Sequence, residues 1–185
     1  QVLRPERALR ILVQVCGSLA EAHGRGLVHR DLKPENIMVS TLGEQQDFVK
    51  VLDFGIAKVT QSSRGDRLET ITRAGAIFGT PQYMAPEQIR GEEIDARADV
   101  YALGVVLYQM IAGQLPFEAG TVVEMLTKHL SAQPAPITRE HATAEDDEAY
   151  ARLEAVALRA LSKDPAQRQP SARAFLEDLM AAMPQ

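Results

Sequence analysis

Three short runs bring charged and oxygen-bearing side chains close enough together to act as a set. His29-Arg30-Asp31-Leu32-Lys33-Pro34-Glu35-Asn36 forms a polar loop, and Asp53-Phe54-Gly55 follows a short apolar run. Gly79-Thr80-Pro81-Gln82-Tyr83-Met84-Ala85-Pro86-Glu87 closes a long polar stretch. Asp31 offers a carboxylate that can accept a proton. Lys33, two residues on, offers an ammonium for an anionic oxygen. Asn36 and Asp53 offer the hard oxygen donors that Mg2+ favours. Taken singly, an Asp in a loop is most often a turn or cap residue, and a Lys is most often solvated. The fixed order of the three runs favours the chemical reading for all four residues at once.

The elements that must position these runs are legible in outline. Residues 5–23 read as a helix: Pro5 suits the first helical position, and Leu12, Val15, Cys16 and Leu19 recur on one face. Gly24 and Gly26 end it. Two short apolar runs, 37–39 and 49–52, are separated by a polar turn and predict a hairpin whose base brings Asn36 and Asp53 together. Helices are predicted over 97–112, apolar nearly all round and hence central, and over 122–130, 148–161 and 171–182. The acidic run at 145–148 reads as a solvated face that helps a helix N-terminus.

On these residues the chain resembles the protein kinases: the three runs are similar to the catalytic loop, the metal-binding motif and the end of the activation segment. The resemblance covers essentially the whole chain. It implies a eukaryotic-type serine/threonine kinase, with an Ala-rich tail and a Pro-Glu-Gln ending in the style of bacterial members. The expected fold class is mainly α with a small β-hairpin: a protein-kinase-like C-terminal lobe covering residues 1–185. Its parts would be a catalytic loop at 29–36, an activation segment at 53–87 and a helical subdomain at 97–182. The chain opens on Gln1, and it has neither a G-x-G-x-x-G run nor a strand lysine ahead of the first helix. The N-terminal lobe is therefore expected to be absent from this chain and to be a partner it needs, leaving the isolated chain weak or inactive.

The resemblance also implies roles. Asp31 would be the catalytic base, Lys33 would meet the γ-phosphate of ATP, and Asn36 and Asp53 would hold Mg2+ or Mn2+. Thr80 would hydrogen-bond Asp31 and Lys33. Met38 is either simple core or a residue beneath the adenine ring. Arg30 would pair with a phosphate on the activation segment, at Thr70 or Thr72. His29 and Phe54 would be packing residues, Asp99 would accept backbone N–H groups of the catalytic loop, and Glu87 would pair with Arg168. Lys33 and Thr80 point to the Ser/Thr branch, and Ala85-Pro86-Glu87 to protein substrates. A homodimer during autophosphorylation is a further expected partner state. The alternative is a non-catalytic docking module working through the helices after Thr121.

Composition sets limits. The chain is 185 residues long, 45% hydrophobic and 24% charged, with 20 Lys+Arg against 25 Asp+Glu. A net charge of −5 argues against a general nucleic-acid binder, which needs a basic excess. The single cysteine, Cys16, excludes an internal disulfide and favours a reducing compartment, the cytoplasm, including the cytosolic part of a membrane-anchored kinase. The most apolar run, 100–112, is shorter than the about 20 residues a bilayer requires.

Overall fold

The computed structural model describes residues 2–54, 80–137 and 144–183. Helix α1 (Pro5–Gly24) starts with proline in its first turn, where a missing N–H costs nothing. Ala8, Ile11, Leu12, Val15, Cys16, Leu19 and Ala22 recur at spacings of three and four and are all buried. The chain then crosses the 29–36 loop, whose end is a 3-10 turn at Pro34–Asn36, and enters a hairpin.

Strands β1 (Ile37–Leu42) and β2 (Gln45–Val51) are antiparallel, with Ile37 opposite Val51, Val39 opposite Val49 and Ser40 opposite Phe48. Both strands run further toward the turn than their apolar runs suggested, since a ladder of backbone bonds needs no apolar side chains. The register is irregular between Ser40 and Leu42. β2 packs on α1, whereas Met38, Val39 and Leu42 on β1 are exposed.

The remaining described elements are helical: α2 (Pro86–Arg90), α3 (Ala96–Ala112), α4 (Val122–Ser131), α5 (Ala144–Ala160) and α6 (Ala172–Ala182). Three start with a side-chain cap for an otherwise orphaned N–H. Asp95 accepts from the Arg97 N–H, Thr121 from that of Glu124 and Ser171 from that of Ala174. α3 stops where Gly113 turns left-handed at φ 74°. Every residue from 98 to 108 is buried, so α3 is the axis on which α1, α5 and α6 pack. No described helix is long and apolar enough to cross a membrane.

α3 and α5 approach closely at Gly104. A Cβ on Gly104 would lie 2.7 Å from the Ala160 Cβ and 3.2 Å from the Ala157 carbonyl oxygen. Neither atom can swing aside, because both are fixed to helix backbone. Gly104→Ala gains about 1 kcal/mol of helix propensity but overpacks the seam by about 1–3 kcal/mol. We expect a net loss, read as a lower urea midpoint at unchanged m-value. An equal or higher midpoint would show that the two helices separate without cost.

Candidate functional site

The site begins with a buried carboxylate. Asp99, in the first turn of α3, is 1% exposed. Its Oδ2 accepts the His29 N–H at 2.8 Å and lies 2.8 Å from His23 Nε2; its Oδ1 accepts the Arg30 N–H at 2.8 Å. These bonds hold Arg30 at φ 65°, a left-handed backbone that ordinary residues adopt at a cost of order 1–2 kcal/mol. The other side of Arg30 is held too, since Gln88 Nε2 donates to its carbonyl at 2.9 Å. The His29 ring braces the turn from within. Its Nδ1 accepts the Asp31 N–H at 3.3 Å and its Nε2–H donates to the Leu52 carbonyl at 2.9 Å, which fixes the proton on Nε2. The Phe54 ring lies 4.9 Å from it, centroid to centroid.

The polar side chains named from sequence converge just beyond that turn. Lys33 Nζ lies 3.5 Å from Asp31 Oδ2 and donates to Thr80 Oγ1 at 3.0 Å. The Asp31 and Lys33 side chains are 27% and 21% exposed, so both reach solvent while staying ordered. Asn36 Nδ2 donates to the Asp31 carbonyl at 2.8 Å, which leaves the amide oxygen as its free-standing donor atom for a cation. The Asn36 carbonyl accepts from the Leu52 N–H at 2.8 Å, so the residue before Asp53 is tied directly to Asn36. Asp53 is exposed and also left-handed, at φ 54°. Met38 is 50% exposed, beyond the core. Thr70 and Thr72, and the glycines Gly55 and Gly79, lie outside the described residues.

Two oxygen donors at the base of one hairpin suit a cation that takes few protein ligands and completes its shell from phosphate and water, which is the habit of Mg2+. Among the described residues no cluster of three or more His, Cys, Asp or Glu forms a self-sufficient metal cage. The arrangement can therefore orient a hydroxyl at Asp31, neutralise an anionic oxygen with Lys33, and share a hard cation with a bound phosphate.

A second buried charge pair anchors the segment after Thr80. Glu87 and Arg168 meet through two bonds of 2.7 and 2.8 Å, with the Arg168 side chain fully buried. The guanidinium also donates to the carbonyls of Arg97, Ser162 and Lys163, and sits 4.8 Å over the Tyr101 ring. Sequence reasoning missed His23, Gln88 and the group behind Tyr101. There, the hydroxyl of Tyr101 meets His129 Nδ1 at 2.8 Å, and Lys163 Nζ lies 4.4 Å over the Phe117 ring. No sequence signal separates such residues from ordinary helix-face polar groups.

The family model for the protein kinase domain matches residues 1–181. The chain is similar to the serine/threonine-protein kinase pkn3 of Myxococcus xanthus, at 52% identity over 97% of this chain and 32% of that protein. It is 45% identical to the serine/threonine-protein kinase Pkn1 of the same organism, over 94% of this chain and 24% of that protein. It is 40% identical to the serine/threonine-protein kinase PknB of Mycolicibacterium smegmatis, over 96% of this chain and 26% of that protein. The chain spans about a third or less of the length of these relatives. The family match corrects the expected fold class. It begins at residue 1 and runs on to residue 181, so the chain is not assigned to a C-terminal lobe alone with the N-terminal lobe absent. That expectation rested on patterns missing from the sequence, and a missing pattern does not set a domain boundary.

Burial pushes the His129 imidazole down to about 4, with the Lys163 charge adding to the effect and the Gln82 carbonyl opposing it. A base whose folded pKa is depressed leaves the unfolded chain holding more protons. Stability is therefore full above the ordinary His value of about 6.5 and falls as pH drops from there toward about 4. Between pH 7 and pH 5 we expect this group to remove about 2 kcal/mol of stability, measured by urea unfolding. In His129→Gln that part of the pH dependence should vanish; an unchanged slope would assign it to other groups.

Proposed function

The chain belongs to the protein kinase family, and on that premise we propose that it carries the ATP-dependent phosphorylation of Ser and Thr hydroxyls on protein substrates in its full-length protein. The observation that supports this most is the contact set Asp31–Lys33–Thr80, with Asn36 bonded to the Asp31 backbone.

In this reading the substrate hydroxyl docks against Asp31, which orients it and takes its proton as the oxygen bonds to the γ-phosphorus. The bond from that phosphorus to the bridging oxygen breaks, and ADP leaves with the electron pair. Lys33 stands over the phosphate oxygens and offsets their negative charge through the transfer. Thr80 holds the Lys33 ammonium and ties the segment on which a peptide would lie to the reacting group. Asn36 and Asp53 would hold Mg2+ or Mn2+, which when bound neutralises charge on the phosphates. Met38, exposed beside these groups, is the proposed contact for the adenine ring.

A basic Arg30 beside the catalytic carboxylate suits regulation by phosphate on Thr70 or Thr72, since a guanidinium pairs with phosphate bidentately. A second copy of the protein is the proposed partner for that autophosphorylation. The buried thiol of Cys16, alone in the sequence, supports a reducing cytoplasmic setting.

Radiolabelled ATP, Mg2+ and a generic basic Ser/Thr protein test the reaction with the full-length protein. Wild type should transfer label, and Asp31→Asn should lose about 10²–10⁴-fold in rate. Full activity in that variant would remove Asp31 from the mechanism; a folded, inactive wild type would favour the non-catalytic docking role. Phosphopeptide mapping of active enzyme should find Thr70 or Thr72 modified, and finding neither would overturn the regulatory assignment.

A further inference from the structure

β2 has a ladder partner on one side only, since the described sheet has two strands. Its other edge faces α1, and there a single side chain does what a third strand would do. Gln14 Nε2 donates to the Asp47 carbonyl at 2.8 Å, and Gln14 Oε1 accepts the Val49 N–H at 3.1 Å. A carbonyl and the N–H two residues later are the pair that a neighbouring strand would engage. The amide cannot rotate away, because Nε2 also donates to the Arg10 carbonyl at 3.0 Å within the helix. The grip continues one turn back along α1. Arg7 donates twice to Asp47 Oδ1, at 3.1 and 3.0 Å, and Arg10 once to Oδ2, at 3.2 Å. Arg7, Arg10 and Gln14 are spaced three and four apart and so form one stripe on α1. Asp47 itself is buried and left-handed, at φ 56°.

The far end of this strand is the candidate cation site. β2 ends at Val51; the next residue, Leu52, bonds through its N–H to the Asn36 carbonyl and leads directly into Asp53. Asp31 is oriented through Asp99 and His29, and its carbonyl accepts from Asn36 Nδ2 at 2.8 Å, so the reactive carboxylate and the cation donors share one bonded frame. The hairpin is thus a lever: α1 holds its edge, and its base carries both oxygen donors. We propose that Gln14 is a positioning residue for Asn36 and Asp53, setting where the cation sits relative to Asp31. This inference rests on the kinase reading above.

Its signature is a split between metal requirement and turnover. The test uses the full-length protein with Gln14→Leu, which removes both edge bonds at similar volume, and Gln14→Glu, which keeps the acceptor for Val49 and loses the donor to Asp47. Mg2+ is titrated against binding of a fluorescent ATP analogue, and separately against the phosphotransfer rate. Half-saturation by Mg2+ should rise about tenfold in Gln14→Leu, the lower end of what support groups behind metal ligands cost, with the rate at saturating Mg2+ within about twofold of wild type. Gln14→Glu should shift in the same direction by less, and it carries the test if the leucine variant does not fold. Gly104→Ala, destabilised at a distant helix seam, should leave the Mg2+ requirement unchanged. An unmoved requirement in both Gln14 variants, or an equal rise in Gly104→Ala, overturns the positioning role alone. A wild type that binds no nucleotide in Mg2+ overturns the kinase reading and this inference with it.

Discussion

One carboxylate organises the site. Asp99 is buried at the start of a helix that is itself enclosed, and a charge in that position persists only if it is fully bonded. Its partners are two consecutive backbone N–H groups and a histidine at the end of α1. The two N–H groups belong to the loop and the histidine to α1, while the carboxylate itself stands on α3. Satisfying the carboxylate therefore fixes, in one step, where α1 ends, where α3 begins and how the loop between α1 and β1 turns. The aim of Asp31 and the grouping of Lys33, Thr80 and Asn36 are consequences of that turn.

The same logic recurs wherever the fold buries polarity. Arg168 directs its donors to Glu87, to the Arg97 carbonyl in the first turn of α3 and to the Ser162 and Lys163 carbonyls after α5, so one guanidinium closes the chain after Thr80 onto α3 and the segment before α6. Gln88 spans the Ala85 N–H and the Arg30 carbonyl, joining this anchored segment to the loop. Apolar packing on α3 supplies the bulk of the burial, but the relative placement of the reactive groups is set by these few saturated polar nodes.

The sequence announced what local chemistry controls. Pro5 at the start of α1, Ser171 ahead of α6 and the apolar wheel of α3 each follow from neighbours within a few residues, and the motif runs marked Asp31, Lys33, Asn36 and Asp53. It was silent where the cause is long-range. Gln14 looks like any polar residue on an amphipathic helix until β2 lies against it, more than thirty positions away. The short helix α2, five residues long, has too few positions for a periodicity, and it went unread. The lobe assignment failed for a different reason: motifs fix chemistry, and they say little about where a domain match begins.

Arg30 and Asp53 share one further property: each has a side chain where the backbone would relax with glycine. Arg30 adjoins Asp31, and Asp53 is itself a candidate cation donor. Selection for thermal tolerance and selection for turnover would therefore pull these two positions in opposite directions. A homologue or laboratory variant with glycine there would gain a calmer backbone at the expense of its working side chains, so residue choice at these two sites records which pressure a lineage has answered.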